Sequence, residues 1–296
     1  MPTIEIGCGQ ITWITRSNDT PEEQVLAEIA QAGYAGAPAS PTKGQTTEQA
    51  QALFARHGLK PAPGYLGVDF WRADQHDSIL ERAREYAAFM RAVGCTELYV
   101  AAGGFTSYIT AGGRSRAQLA GHVGPADAMT DAEYQRFADT LNQVGAITLE
   151  QGVRSCFHNH VGSVIETREE IDRLLAMVDP ALVFLGPDTG HLAWAGADPV
   201  AFCRDYAAQI KTIHVKDVDE SVRARGQAQA WDYGTFTANG IFAELGEGNV
   251  DFPAIFSILR DAGFAGWVIA ETDVTQKPTA LESATISRAY LRSLGM

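Results

Sequence analysis

The stretch Arg154-Ser155-Cys156-Phe157-His158-Asn159-His160 runs from a strand-like segment into two histidines, and Thr167-Arg168-Glu169-Glu170 follows shortly after. A threonine with a glutamate three residues on is a capping box, in which the hydroxyl and carboxylate satisfy free amides at a helix start. The two together read as one strand, then one helix, with ionisable side chains where the strand ends. The same grammar recurs. Asp188-Thr189-Gly190-His191 follows a strand over 183–186, His214-Val215-Lys216-Asp217 ends a strand over 210–215, and Glu271-Thr272-Asp273 ends one over 267–271. Four of the seven histidines lie in these stretches. Gathering such groups costs free energy unless a metal or a reaction uses them.

Outward from this stretch the alternation continues. Strands are predicted over 4–9, 34–38, 60–68 and 97–102, and helices over 21–32, 46–57, 77–93, 131–151, 198–208, 252–262 and 280–294, besides the one opened by Thr167. Thr20 is the expected N-cap of the first helix, with Pro21 at its first position and Gly33 closing it. Thr130 caps the helix over 131–151, and Gly263 ends the one over 252–262. Eight strand-helix units in 296 residues favour an α/β fold of the closed (β/α)8 TIM-barrel type, one domain over 1–296. No glycine-rich GxGxxG follows the first strand, which argues against a dinucleotide-binding sheet. Two connections, near 103–130 and 218–250, are too long for turns and should rise from the barrel face where active sites form. The second carries Trp231, Tyr233, Phe236 and Phe242. It reads as a pocket wall or lid; the competing reading, a subunit-contact arm, leaves a homo-oligomer open.

A formal charge of −13 argues against nucleic acid or anionic membrane as a partner. No apolar run approaches the roughly 18 residues needed to span a membrane. The N-terminal residues lead directly into a strand rather than a basic and then apolar leader, so a cytoplasmic location is expected. Cys8, Cys95, Cys156 and Cys203 are too widely spaced for a zinc ribbon or disulfide framework.

His158 and His160 are two apart and share a face if the strand continues through them, as do His214 and Lys216. Each residue has an ordinary alternative: Asp188 as a turn residue, His214 as a core histidine, Glu271 and Asp273 as solvated strand-end acids, Lys216 and Asp217 as a surface pair. Their occurrence on four consecutive strands favours a site instead. Asp, Glu and His form a mixed oxygen and nitrogen ligand set compatible with Mn²⁺, Co²⁺, Mg²⁺ or Zn²⁺.

Phe157-His158-Asn159-His160-Val161-Gly162, Asp188-Thr189-Gly190-His191, His214-Val215-Lys216-Asp217, Gly246-Glu247-Gly248-Asn249-Val250-Asp251-Phe252 and Ala270-Glu271 resemble the xylose-isomerase-like sugar isomerase/epimerase superfamily, and within it the inosose dehydratase family. The resemblance spans nearly the whole chain. It implies one divalent ion, Mn²⁺ or Co²⁺ above all, held by Asp188, His214, Glu271 and a fourth ligand. Glu166 is the choice for that fourth position, with His158 as its competitor. The resemblance makes His160, His191 and Lys216 substrate-contacting groups, with His158 joining them if Glu166 is the ligand. His160, Glu166, Lys216 and Glu271 are the expected catalytic residues. Trp13 and Trp194 are candidate apolar walls for a sugar ring. One departure stands out: relatives often carry an acid after Gly-Tyr-x-Gly-x, whereas here Gly33-Tyr34-Ala35-Gly36-Ala37 is followed by Pro38.

The expected chemistry is loss of the proton beside a metal-bound carbonyl of a keto-polyol, giving an enediolate. Loss of a β-hydroxyl then gives a dehydratase acting on an inosose-like substrate. Return of the proton to another face or carbon gives a ketose epimerase or aldose-ketose isomerase. The residue types do not separate these outcomes, and the leaning to dehydration rests on resemblance. An endonuclease IV-type nuclease shares the barrel but needs more histidine ligands and a basic face. A non-catalytic sugar-binding barrel is the remaining alternative. Arg114 and Arg116, on the first long loop, could reach an anionic substrate but read more readily as solvated, which favours an unphosphorylated one.

Overall fold

Parallel strands close into a ring in the computed structural model, which describes residues 3–17 and 19–296. The strands are β1 (Ile4–Cys8), β2 (Gly36–Pro38), β3 (Lys60–Ala62), β4 (Tyr65–Val68), β5 (Glu97–Ala102), β6 (Arg154–His158), β7 (Val183–Leu185), β8 (Ile213–Val215), β9 (Asp217–Val218), β10 (Phe242–Ala243) and β11 (Gly266–Ala270). Two parallel sheets, β3-β2-β1-β11-β8 and β4-β5-β6-β7, form the barrel wall. Two seams join them. At one, bridges Leu185↔Ile210 and Asp188↔His214 connect the β7 and β8 segments, and His214 N donates to Pro187 O at 2.9 Å. At the other, the single strand expected over 60–68 is broken by Pro63-Gly64. Pro63 has no amide to donate. A Cβ on Gly64 would lie 2.2 Å from Ala39 O, so only glycine permits this bend. β3 pairs with β2 and β4 with β5, and one barrel position thus serves both sheets.

The wall is apolar on both faces, as a parallel barrel requires; every residue of β5 is buried. Outer helices pack apolar stripes against it. The helix Asp131–Glu150 opens with the Thr130–Glu133 capping box and buries Tyr134, Phe137, Leu141 and Val144. Truncating a fully buried phenylalanine such as Phe137 to alanine typically costs about 3–5 kcal/mol. The helix expected over 21–32 departs from that reading: it spans Glu22–Ala32, after a short helix Ile11–Arg16, and Pro21 rather than Thr20 is its N-cap, with no side-chain cap bond. Pro21 is extended, and its carbonyl accepts from Gln24 and Val25. Glu22 and Glu23 supply the favourable negative charge at that end instead.

The 218–250 segment is structured rather than a plain loop. β9 and β10 pair antiparallel, and helices Glu220–Ala228 and Tyr233–Ala238 lie between them, capped by Asp219 and Asp232. Val222, Phe236, Ile241 and Phe242 form a small apolar cluster with Trp194 and Val161. The 103–130 segment holds short 3₁₀ turns at Ala117–Leu119 and Pro125–Asp127. Among the described residues no helix is long and apolar enough to cross a membrane. All four cysteines are free and buried.

Candidate active site

Two tiers of ionisable side chains gather at the C-terminal ends of the barrel strands. The first comprises His158, ending β6, Asp188 after β7, His214 on β8 and Glu271 after β11. Ligand-type atoms of His158, Asp188 and His214 lie within 4.8 Å of one another. His214 Nδ1 stands 3.8 Å from Asp188 Oδ2 and 3.3 Å from Glu271 Oε2. Asn159 locks Asp188 in place: its Oδ1 accepts from Asp188 N at 3.0 Å and its Nδ2 donates to Asp188 O at 3.2 Å. Asp188 is also the turn residue its neighbours suggest. Its Oδ1 accepts from His191 N and caps the helix Thr189–Trp194, which leaves Oδ2 turned to the cluster. Gly9 is needed beside it, because a Cβ there would lie 2.1 Å from Glu271 Oε1.

The second tier contains His160, Lys216 and Asp273, each two residues beyond a first-tier group, together with His191. Ligand-type atoms of His160, His191 and Asp273 also lie within 4.8 Å. Lys216, 1% exposed, sits between the tiers. Its Nζ is 3.1 Å from Asp188 Oδ2 and 3.2 Å from Glu271 Oε2, and it donates to Asp273 Oδ1. The rings of His160 and His191 face each other with centroids 3.6 Å apart. Asp273 was open to a solvated reading from sequence; the structure buries it against Lys216 and His191.

Burial would hold Lys216 neutral, but Asp188, Asp273 and Glu271 outweigh it and keep the ammonium far above its ordinary range. Burial likewise favours the protonated form of Glu271 and Asp273, yet Lys216 holds both below the usual carboxylate range. Burial dominates at Asp188 and raises it despite Lys216 and His214. Burial keeps His158 and His191 neutral and lowers His160 to about 4, in spite of Asp273 nearby. Three carboxylates therefore face one ammonium. With all three ionised the cluster lacks two positive charges, the charge of one divalent cation.

The donor set fits such a cation. Asp188 Oδ2 and both ring nitrogens of His214 are buried and make no well-aligned hydrogen bond among the described residues, although the Lys216 ammonium and the Glu271 carboxylate lie close to Asp188 and His214 respectively. A buried carboxylate oxygen and imidazole lone pair without a well-aligned hydrogen bond are costly, and a metal would take one lone pair from each. His158 presents Nε2 to the same space, and Glu271 supplies a carboxylate. Glu166 does not join them, contrary to the sequence expectation. Its Oε1 accepts from Gly121 N at 2.8 Å and its Oε2 from Gly162 N at 2.6 Å, and it lies outside both clusters. Burial raises its carboxyl to about 7 even with Arg116 nearby.

The tiers open into a cavity of about 470 Å³. His158, His160, His214, Glu271 and Asp273 line it, and Tyr65, Tyr99, Phe105 and Tyr233 form its aromatic wall. Pro38 lines it too, at the point where relatives often carry an acid, and its carbonyl accepts from Gln10 Nε2 at 2.8 Å. The expected tryptophan walls are elsewhere. Trp13 is buried and donates to Glu28 Oε2 at 2.7 Å, and Trp194 is fully buried behind His191, packed on Tyr233, Phe236 and Phe242. His191 and Lys216 are absent from the cavity wall and support it from behind.

Arg116 is not solvated. It is fully buried and forms a bidentate pair with Glu170, at 2.9 and 2.8 Å, while Arg114 stays exposed. Asp217 is no surface partner of Lys216 either. Strand alternation turns it to the opposite side, where it accepts from the amides of Gly246, Gly248 and Val250. This explains the glycines of the 246–252 motif: a Cβ on Gly248 would lie 2.3 Å from Asp217 Oδ1.

Residues 26–294 match the family described as xylose isomerase-like TIM barrel. An inosose dehydratase from Geobacillus kaustophilus (strain HTA426) is 30% identical over 292 residues, covering 96% of this chain and 92% of that protein. The solved L-ribulose 3-epimerase superposes with a TM-score of 0.71 at 18% identity, covering 99% and 94% of the two chains. The probable 3-DHS dehydratase AsbF from Bacillus anthracis gives a TM-score of 0.70 at 15% identity, covering 99% of each. Likeness at these identities speaks for the fold alone. The chain belongs to the xylose isomerase-like TIM barrel family, and it is an enzyme.

Proposed function

We propose that this enzyme uses one divalent cation to remove a proton beside a carbonyl of a keto-polyol, and that it dehydrates an inosose-like substrate. The observation that carries this reading is the convergence of His158, Asp188 and His214 ligand-type atoms within 4.8 Å of one another beside the cavity, with Asp188 Oδ2 and the His214 ring making no well-aligned hydrogen bond. His158, Asp188, His214 and Glu271 would hold the cation. The mixed donors suit Mn²⁺ or Co²⁺ and accept Mg²⁺ or Zn²⁺. When bound, such an ion supplies Lewis acidity toward a carbonyl and its neighbouring hydroxyl.

The chain's own groups do the rest. His160 lines the cavity and donates from Nδ1 to Val161 O at 2.7 Å, so its Nε2 keeps a lone pair. It is neutral at pH 7 and able to accept the α-proton. Asp273 stabilises the imidazolium that results. That imidazolium returns the proton to the β-hydroxyl, which departs as water as the carbon–carbon double bond forms. Lys216 stays protonated, keeps Glu271 and Asp273 ionised, and takes no part as a base. The aromatic wall of Tyr65, Tyr99, Phe105 and Tyr233 packs against the carbon faces of the ring and limits water. The dehydratase at 30% identity supports elimination as the outcome. Epimerisation is the second reading, favoured by Glu271 and His160 both lining the cavity, as a two-base exchange requires.

The test is to incubate the Mn²⁺-loaded enzyme with 2-keto-myo-inositol in D₂O and record proton spectra after removing the protein. Water loss to a diketone product supports dehydration. Exchange with inversion or isomerisation supports the second reading. No change across several keto-sugars contradicts both.

A further inference from the structure

Glu166 holds a single peptide group from one side while His160 holds it from the other. The peptide between Val161 and Gly162 contributes one N–H and one C=O, pointing opposite ways across a trans bond. Gly162 N donates to Glu166 Oε2 at 2.6 Å, and Val161 O accepts from His160 Nδ1 at 2.7 Å. The turn around it closes by Ser163 N donating to His160 O at 3.2 Å. Gly162 has φ +85°, the left-handed region where glycine carries no steric penalty. A turn of this kind reverses its central peptide with small changes elsewhere, so something must decide which way the carbonyl faces.

We propose that Glu166 is a positioning residue that fixes the tautomer of His160 through the orientation of the Val161–Gly162 peptide. In its ionised form the Glu166 carboxylate only accepts, so it draws the Gly162 N–H toward itself and turns the Val161 C=O toward His160. A carbonyl only accepts as well, so His160 must carry its proton on Nδ1. Nε2 is thereby left with a lone pair. The neighbouring ring is held differently: His191 Nε2 lies 3.2 Å from the Lys216 ammonium and 3.5 Å from Asp273 Oδ2, and Val161 N donates to His191 Nδ1 at 3.4 Å.

A carboxylate is required rather than an amide. The second oxygen of Glu166 accepts from Gly121 N at 2.8 Å, on the first long loop. Glutamine has one acceptor for these two donors, and its NH₂ would confront an N–H. The carboxylate itself is anchored. Glu166 N donates to Glu170 Oε2 at 2.8 Å, and Arg116 clamps Glu170. Glu166 thus ties the 103–130 segment to the turn that carries His160.

The catalytic consequence rests on the reading of His160 as proton acceptor; the tautomer does not. The experiment is a two-bond ¹H–¹⁵N correlation spectrum of metal-free protein labelled at histidine, with His160→Gln assigning the His160 signals. Wild type is expected to show His160 as the Nδ1–H form. Glu166→Gln should convert His160 to a mixture containing the Nε2–H form, and lower kcat by roughly 10–100-fold with KM little changed. Gly162→Ala is the second variant. Its Cβ disfavours φ +85° and meets Phe105 at 3.0 Å, so the peptide should reverse with the same tautomer change while Glu166 is intact. If Glu166→Gln does not fold, the Gly162→Ala spectrum decides by the same criterion. A folded variant with His160 wholly in the Nδ1–H form overturns the inference, even where the proposed reaction is confirmed. The spectra need no substrate, so failure of that reaction leaves a positive tautomer result standing.

Discussion

His158 donates from Nδ1 to the carbonyl of Gly186 at 3.1 Å, and this fixes its Nε2 toward Asp188 Oδ2, 4.0 Å away. A metal-binding histidine is ordinarily oriented in this way, with its other nitrogen on a backbone carbonyl. Glu166, in contrast, has both oxygens engaged by backbone amides. His158→Gln should therefore lose divalent-metal affinity by more than the roughly 10–100-fold typical of a supporting residue. Glu166→Gln should keep full metal content. Elemental analysis after loading with limiting Mn²⁺ and desalting checks both, and metal loss confined to the Glu166 variant would reverse the assignment.

Lys216 is the resident cation of the site, and its removal leaves three buried carboxylates facing one another. Breaking a buried pair from one side costs about 3–5 kcal/mol. Lys216→Met should lose stability of that order in urea unfolding of the metal-free protein. Added divalent cation should recover part of it, by replacing the missing charge. Equal stability of variant and wild type without metal would contradict this account of the charge balance.

Arg116 holds Glu170 in the interior with two parallel bonds and also donates to Asp127 O at 3.2 Å. Arg116→Met strands a buried carboxylate and should cost about 3–5 kcal/mol in denaturant unfolding. Glu170→Gln keeps acceptor capacity and should cost less. A mild effect at Arg116 would show that solvent reaches Glu170.

Burial raises the Glu166 carboxyl from 4.5 to about 7. Between those values the native state holds more protons than the unfolded chain, so this group's contribution to stability falls as pH rises through that window. Relative to the non-titrating Glu166→Gln variant, wild type should lose up to about 3 kcal/mol from pH 4.5 to pH 7. Unfolding curves of the two proteins across that range measure it. A difference that stays flat, or grows with pH, would place the titration elsewhere.

The second half of the barrel was legible because four strand-end motifs and the Thr167 capping box mark its units locally, and the first half through strand-helix alternation. Pro63-Gly64 hid a break inside one expected strand, because the partner change depends on contacts with Ala39 and Tyr99 that adjoin only in the fold. Helices Glu220–Ala228 and Tyr233–Ala238 are short and interrupted by Gly226 and Gly234, so their apolar period is weak; their Asp219 and Asp232 caps were the available signal. At the site, residues two apart on a strand face one way, which found His158 with His160 and His214 with Lys216. The same spacing links Glu271 to Asp273, and applying it there would have recovered Asp273. Glu166 was misplaced because the glycine amides that hold it leave no trace in residue type. Trp13 and Trp194 were misplaced because an aromatic residue near a strand end does not reveal which side of the wall it packs on.

Deuterium exchange shows whether the buried strand-end cluster loads a divalent cation to labilise a proton beside a carbonyl. The α-carbon of 2-keto-myo-inositol is followed in D₂O with enzyme before chelation, after chelation, and after adding Mn²⁺ back. Exchange should stop on chelation, return with the cation, and be absent in Asp188→Asn under all three conditions. Exchange that persists in chelated enzyme, or in the Asp188 variant, would contradict this role of the cluster.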